Sequence, residues 1–324
     1  MKLKFALTLC AAAAVLGLAP TLSHASGLIV PAYLTLTDTT DWATLASEAT
    51  TATASTNTTY HDFWVVANGP SNGPFTTPAN WTTAAGLFNP IRTNGGKIFG
   101  YVHTNADNGT NDADFRTLSA VETDITSWVT GYSSIDGIWL DEYYPRYEIA
   151  TDTGTTASFP NGTSLAPYAT NYYAPTTYTI SGGVQVNPNG GYYSQLIGWI
   201  RATYPKLKII GNAGGWVWSD QLNYMNLPDV MCSFEQDFDV AYDGPLDTYN
   251  WAGLNQQTAT GVSDYQSQLA IITGNTTDLD DAIDQSIDHG YNYFYTTNVA
   301  YGGNLYGSLP SYFDSEVSYV AGHS

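Results

Sequence analysis

Short apolar segments alternate along the chain with longer segments in which apolar residues recur every three or four positions. Eight of the short segments are rich in Val, Ile, Phe, Tyr and Trp and are bounded by turn-forming residues, which is typical of β-strands. They cover residues 27–33, 63–68, 97–104, 135–140, 207–212, 230–235, 268–273 and 291–297. Strands that are apolar on both faces are typical of parallel sheets covered by helices.

The segments between these strands show helical periodicity. It is clearest over residues 115–132, where Leu118, Val121, Ile125 and Val129 are spaced three or four apart. Further helices are expected near 41–48, 78–93, 192–204, 279–289 and 310–320. Eight strands, most of them followed by a helix, predict a single-domain α/β fold of the (β/α)8 TIM-barrel type. A doubly wound open sheet is the alternative, which the lack of an early Gly-rich phosphate loop disfavours.

Two segments fall outside this alternation. Residues 148–190 are rich in Thr, Gly, Asn and Tyr without a sustained period, so we expect a long loop inserted after the fourth strand. Residues 1–25 combine a basic start, an apolar run and the small-x-small motif Ser23-His24-Ala25, which predicts a signal peptide. The barrel is then expected to comprise residues 26–324, and the protein to be secreted, either extracellular or associated with a cell wall.

The charge of the chain limits the binding partners that we expect, and its cysteine content limits the disulfides that it can form. Without the signal peptide, seven Lys and Arg residues face 29 acids, a net charge of about −22. Such a surface repels nucleic acid and anionic lipid, and no later segment is apolar and long enough to span a membrane. The acidity serves either solubility or a cationic ligand. Cys232 is the only remaining cysteine, so no internal disulfide is available, and we expect a monomer stabilised by its core.

The strongest candidate for chemistry lies at the end of the fourth predicted strand. An apolar segment ends there in two adjacent carboxylates, Asp141 and Glu142, followed by Tyr143. In (β/α)8 barrels the active site lies at the C-terminal ends of the strands. The alternative is that Asp141 and Glu142 cap the next helix, but Pro145 and a long polar segment follow instead of a helix.

Other polar residues at the predicted strand ends are Asn68, His103, Asn212, Glu235, Thr273 and Asn298. The candidates for binding a substrate are Tyr33, Asn68, Tyr101, His103, Tyr143, Asn212, Trp216, Trp218 and Asn298. Alternation along each strand groups Asp141 with Trp139, and Glu235 with Met231 and Ser233. The smaller or more polar sets suit the crowded barrel interior. This argument places Asp141 and Glu235 opposite each other across the mouth of the barrel.

Two carboxylates on different strands suit glycoside hydrolysis, in which one protonates the leaving oxygen and the other acts as nucleophile or activates water. A group of rings near the strand ends supports this hypothesis, because aromatic faces can pack on sugars. The rings are those of Tyr101, Trp139, Tyr143, Tyr144, Trp216 and Trp218. Each ring alone could equally belong to ordinary rim packing. His103 either contacts substrate or bonds a neighbouring strand end.

Other chemistries have weaker support. No His-x-x-x-His or Cys/His spacing occurs, so neither a metal nor another cofactor is expected. The segment Gly69-Pro70-Ser71-Asn72-Gly73 matches the nucleophile elbow of α/β-hydrolases, but Pro74 and a loop follow where the elbow requires a helix. An esterase or deacetylase, and a non-catalytic polysaccharide-binding protein on the same barrel, are the alternatives to a glycosidase.

Seven segments, taken in order, resemble the spherulation-specific family 4 (spherulin-4-like) proteins, grouped with glycoside hydrolase family 135. They are Ile29–Tyr33, Val65–Pro70 with Gly73–Pro74, Gly100–Thr104, Asp124–Trp128, Asp136–Glu142, Ser233–Glu235 and Leu309–Tyr312. Together they run across almost the whole chain after the signal peptide. Each segment alone is a weak motif, and the specificity comes from their order.

The resemblance implies a (β/α)8 barrel and an endo-acting hydrolase of α-1,4-linked N-acetylgalactosamine in galactosaminogalactan-type exopolysaccharide. It also implies that activity depends on Asp141, Glu142 and Glu235. On this basis Glu235 is expected to be the general acid and Asp141 the nucleophile or base, with Glu142 orienting one of them or exchanging roles with Asp141. A partly deacetylated polymer is cationic and would suit the acidic surface. The segment 148–190 departs from the family pattern.

Overall fold

The computed structural model describes residues 26–54, 60–104, 116–143, 177–180, 183–186, 192–213, 227–237, 267–274, 279–288, 291–300 and 303–322. Its strands are β1 (Ser26–Ala32), β2 (Tyr60–Ala67), β3 (Lys97–His103), β4 (Gly137–Asp141), β5 (Thr177–Ile180), β6 (Gly183–Val186), β7 (Lys208–Asn212), β8 (Val230–Asp237), β9 (Ser267–Thr273) and β10 (Tyr293–Thr296). The helices in these ranges are α1 (Thr39–Thr53), α2 (Pro78–Thr93), α3 (Leu118–Gly131), α4 (Tyr192–Thr203), α5 (Leu279–Asp288) and α6 (Phe313–Gly322).

Eight parallel strands form a closed ring in the order β1-β10-β9-β8-β7-β4-β3-β2. The ring closes because β1 pairs in parallel with both β2 and β10. This is the (β/α)8 barrel that the sequence predicts, and the alternative of an open doubly wound sheet is wrong. None of the helices described is long and apolar enough to cross a membrane.

The helices begin where the sequence supplies a side chain to cap them. The side chains of Asp38, Thr77 and Thr117 each accept a hydrogen bond from a backbone N–H in the first turn of α1, α2 and α3. Such caps satisfy donors that the helix itself leaves unpaired. At α2, Pro78 also supplies a backbone angle suited to the first turn.

One close contact fixes α3 against the strand that leads to the candidate site. A Cβ at Gly100 would lie 2.4 Å from the ring of Trp128, so only glycine lets the helix approach β3 this closely. The indole of Trp128 is fully buried and donates a 2.9 Å hydrogen bond to the carbonyl oxygen of Tyr101. The position of Tyr101 is therefore set from outside the barrel by α3.

Ion pairs stabilise the opposite, N-terminal end of the barrel. Arg92 donates to both carboxylate oxygens of Asp136, at 2.9 and 3.0 Å. Lys97 bonds Asp62 at 3.0 Å, and Tyr293 donates to the other oxygen of Asp62 at 2.9 Å. These bidentate or shared bonds place the carboxylates in structural roles, away from the ends of the strands that carry Asp141.

The two segments predicted to lie outside the barrel stay predictions. Residues 1–25 lie outside the described residues. Within 148–190, the structure describes only β5 and β6, which pair as a short antiparallel hairpin. The predicted aromatic residues Tyr144, Trp216 and Trp218 also lie outside the described residues.

Candidate active site

Asp141 is the last residue of β4, and its carboxylate points into the barrel mouth. Its Oδ2 accepts a 2.5 Å hydrogen bond from the hydroxyl of Tyr101. Its Oδ1 accepts from the amide of Asn212 at 2.7 Å and from the indole of Trp139 at 3.1 Å. Three donors from β3, β4 and β7 thus surround one carboxylate and fix its orientation.

The amide of Asn212 joins Asp141 to the second candidate acid. The same Nδ2 that bonds Asp141 donates a 3.0 Å hydrogen bond to Oε2 of Glu235. The two carboxylate oxygens on this nitrogen are therefore separated by less than about 6 Å, the sum of the two bonds. Carboxyl groups of retaining glycosidases are about 5–5.5 Å apart, whereas those of inverting enzymes are about 6.5–9.5 Å apart. This limit on the nearest oxygens is compatible with the spacing of a retaining enzyme.

A β-bulge in β8 turns Glu235 into the barrel. Cys232 pairs with Leu269 on β9, but Phe234 already pairs with the next residue, Ala270, so Ser233 is an extra residue without a ladder position. An inserted residue of this kind shifts the alternation of the strand by one. Glu235 consequently lies on the same side of the sheet as Cys232, whose neighbour across β7 and β8 is Asn212.

The grouping of Glu235 with Met231 by simple alternation is therefore wrong. Met231 pairs with Gly211, and its sulfur lies 3.3 Å from the position of a Cβ there, beside the ring of Tyr143. Tyr143 in turn packs on Tyr193 of α4, with ring centroids 4.0 Å apart, so this is the helix-facing side. Glu235 faces Asp141 because of the bulge and not because of its parity with Met231.

Burial gives Glu235 the character of an acid. Its side chain is only 6 % exposed, and Oε1 accepts a hydrogen bond from the hydroxyl of Tyr306. Desolvation and then the nearby charge of Asp141 raise the pKa of Glu235 above its ordinary value, while the bonds from Tyr306 and Asn212 lower it. Glu235 thus holds its proton to a higher pH than an exposed glutamate, which suits proton donation near neutrality.

Three tyrosines connect the two carboxylates. The ring of Tyr33 lies edge-on to those of Tyr101 and Tyr306, with both centroid distances 5.1 Å. The backbone N–H of Tyr33 also donates a 3.0 Å bond to the carbonyl oxygen of Tyr306. Sequence reasoning found Tyr33 and Tyr101 but missed Tyr306, which lies in a loop after β10 and not at a strand end.

Glu142 follows Asp141 in a strained backbone conformation. Its φ of 53° lies in the left-handed region, which non-glycine residues rarely adopt. Its carbonyl oxygen accepts a 3.0 Å bond from the hydroxyl of Tyr193, and Oγ1 of Thr104 lies 3.0 Å from the same oxygen. Strain held in place by such bonds is frequent at functional sites. The left-handed conformation turns the chain sharply between the half-buried Glu142 and the fully buried Tyr143.

The remaining predicted binding residues lie in different environments. His103 is half-buried and lies opposite Asp141 in the register of β3 and β4. Asn68 follows β2 and donates a 3.1 Å bond to Asn72, while Asn298 is exposed beyond β10. Tyr143 is fully buried under the strand ends, so its ring supports the site from the helix side and offers no face to a ligand.

The described part of the chain gives little support to a metal-dependent or serine-dependent reaction. No group of three His, Cys, Asp or Glu residues there could hold a metal ion. Gly69 and Gly73 close a tight turn with a 2.8 Å hydrogen bond, and α2 begins only at Pro78. Ser71 therefore lacks the helix that a nucleophile elbow requires.

The sequence was compared with the models of known protein families and with curated proteins. The model of the family described as "Spherulation-specific family 4" matches residues 27–320. No curated protein matches the chain significantly.

Among solved structures, Aspergillus clavatus Sph3 in complex with GalNAc is 16% identical, with a TM-score of 0.57, over 92% of this chain and 98% of that one. At this identity the likeness shows the fold. The glycoside hydrolase domain of PelA from Pseudomonas aeruginosa is 13% identical over 86% of this chain and 96% of that one. Its TM-score of 0.41 is too low to carry an argument.

Proposed function

This chain belongs to spherulation-specific family 4, and from that premise we propose that it is a secreted endo-acting glycoside hydrolase of an amino-sugar exopolysaccharide. The substrate class we propose is a polymer with α-1,4-linked N-acetylgalactosamine, as in galactosaminogalactan. Support for sugar binding at this fold comes from the solved complex of Sph3 with GalNAc. The observation that carries hydrolysis is the pair Asp141 and Glu235, held by one amide of Asn212.

The roles follow from the two environments. The carboxylate of Asp141, oriented by three donors, attacks the anomeric carbon and forms a covalent glycosyl ester. Glu235, whose burial raises its pKa, gives its proton to the departing glycosidic oxygen. The Glu235 carboxylate then takes a proton from water, which attacks the ester and releases Asp141. Two displacements give net retention of configuration, in keeping with the short separation of the carboxylates.

The residues around the pair have supporting roles in this mechanism. Asn212 keeps the two carboxylates at a fixed separation, and Tyr101 prevents Asp141 from rotating away. Glu142 lies beside Asp141 at the strained end of β4, where its carboxylate can contact the sugar that reacts. His103, opposite Asp141 in the register, can do the same from β3.

Isosteric substitutions test the assignment. Asp141→Asn and Glu235→Gln should each lower kcat on the polymer by at least about 10²–10⁴-fold, the usual contribution of such groups. Both variants keep the size of the side chain and one of its two oxygen acceptors, so the melting temperature should stay close to that of the wild type. The exposed carboxylate variant Asp314→Asn is the matched control and should keep full activity.

Substrates with different leaving groups separate the two roles. On an aryl glycoside whose leaving group needs no proton, Glu235→Gln should recover much of its first step, whereas Asp141→Asn should stay inactive. Released oligosaccharides are identified by mass, and the anomer formed first is identified by NMR. Full activity of either variant on the polymer, or inversion at the anomeric carbon, would contradict the proposal.

A further inference from the structure

A cleft of about 420 Å³ opens beside the candidate active site, between the loops that follow β1 and β2. Residues 33–37 form one wall, and residues 68–75 form the other, with Asn80 of α2 at the edge. Its volume lies within the range of about 300–1,000 Å³ that is usual for small-molecule sites. The cleft therefore has room for a sugar unit.

The inner end of the cleft is the ring of Tyr33. That ring contacts Tyr101 and Tyr306, whose hydroxyls bond Asp141 and Glu235 respectively. A ligand in the cleft is thus separated from the two carboxylates by a single layer of aromatic side chains. A polysaccharide cleaved between these carboxylates would reach the cleft by extending past this aromatic layer.

The walls are formed before any ligand binds. The turn from Gly69 to Gly73 is closed by a 2.8 Å backbone hydrogen bond, with Asn72 at a positive φ of 52°. Under it, the ring of Phe75 is buried and packs edge-on against Trp81 and Trp128, at 5.1 and 5.6 Å. A rigid wall reduces the entropy lost on binding.

The chemistry of the lining selects an uncharged ligand. The residues that line the cleft carry hydroxyl, amide, aromatic and aliphatic groups, and none of them is ionisable to a charged form near neutral pH. The amide of Asn68 makes one bond, to Asn72, and its Oδ1 is buried without a hydrogen-bond partner in the described part of the chain. A small rotation of this half-buried amide would offer the unused group to a sugar hydroxyl or acetamide.

We propose that this cleft is a second sugar-binding subsite, which holds an uncharged pyranose unit of the polymer farther along the chain than the unit whose bond is cleaved. The proposal rests on the proposed function, since it assigns the cleft to the same chain-like substrate. Asn68 binds the unit through its amide, and Tyr33 separates it from the reacting sugar. The subsite makes the protein prefer chains of several N-acetylated units to short ones.

The test compares oligosaccharides of α-1,4-linked N-acetylgalactosamine that differ in length. Three variants are measured with the wild type: Asn68→Ala, Thr37→Trp, which fills the cleft from its exposed rim, and Thr123→Trp on the outer face of α3 as the matched control. In the wild type, kcat/KM should rise as the chain becomes long enough to occupy the cleft. The ratio of kcat/KM for long chains to kcat/KM for short chains should fall at least about tenfold in the first two variants, which is the effect of losing one good contact. In the control this ratio should stay unchanged.

Failure of the subsite is distinguishable from failure of the proposed function. A fall in kcat/KM by the same factor at every chain length, or no fall, would overturn the subsite while leaving hydrolysis intact. If the wild type cleaves none of the oligosaccharides, the proposed function fails. The cleft is then tested by calorimetry on the same variants, as the ratio of the Kd values for long and short chains. Long chains that bind better after chemical de-N-acetylation would overturn the assignment of an uncharged unit.

Discussion

Glu316 in α6 is a carboxyl group that the fold buries completely. Its Oε1 accepts a 2.6 Å hydrogen bond from the backbone N–H of Thr296, and no described residue bonds its Oε2. Burial raises the pKa of Glu316 from 4.5 to about 8, although the bonds from Thr296 lower it. We predict that this one group makes the free energy of unfolding fall as the pH rises from about 5 towards 8.

The sign and the size follow from proton linkage. An unfolded chain releases the proton of this glutamate near pH 4.5, whereas the folded chain keeps it until about pH 8. Between these values the folded state binds more protons, so raising the pH favours unfolding. One pKa unit corresponds to about 1.4 kcal/mol. Between about pH 5 and about pH 7.5, the contribution of Glu316 should therefore fall by about 3 kcal/mol.

The assay is urea denaturation of the wild type and of Glu316→Gln at both pH values. Glutamine keeps an oxygen acceptor for Thr296 but cannot ionise. Whatever its stability at about pH 5, the variant should therefore lack this part of the slope. The difference between the two proteins should change by about 3 kcal/mol across the range. Asp314→Asn, an exposed carboxylate variant in the same helix, should follow the wild type. Parallel pH profiles for wild type and Glu316→Gln would refute the reasoning.

Substitutions at two positions test the site itself. Tyr306→Phe removes a hydrogen-bond donor that lowers the pKa of Glu235. The alkaline limb of the pH profile of kcat/KM should therefore move to higher pH. A limb that stays in place or moves to lower pH would contradict this assignment. Glu142→Gly and Glu142→Ala both remove the carboxylate, but only glycine tolerates the φ of 53° without strain. In urea denaturation the glycine variant should therefore be more stable by about 1 kcal/mol, and the opposite order would show that the position is unstrained.

The sequence predicted the barrel because its strands are distinct apolar segments and its helices have a regular period. The same regularity placed Asp141 correctly, since β4 alternates without interruption from Gly137 to its end. It led to the right position for Glu235 by an incorrect argument, because the bulge at Ser233 leaves no mark in the alternation of apolar and polar residues.

Other features depended on the fold and could not be found from local patterns. Tyr306 lies in a loop between Gly303 and Gly307, where nothing in the sequence indicates that its hydroxyl reaches Glu235. Tyr143 and Tyr101 are both aromatic residues near strand ends, yet one packs under the strands and the other bonds Asp141. Only the three-dimensional structure separates the supporting ring from the ring in the site.

The barrel is closed by pairing between β1 and β10, and the loop of Tyr306 follows that last strand. During synthesis on a ribosome, Asp141, Asn212 and Glu235 all emerge well before the hydroxyl that engages Glu235. The environment of the acid is therefore completed only when the first and last strands meet. A nascent or truncated chain would contain both carboxylates and still lack the bond from Tyr306 to Glu235, so the hydrolysis that we propose would report that the ring has closed.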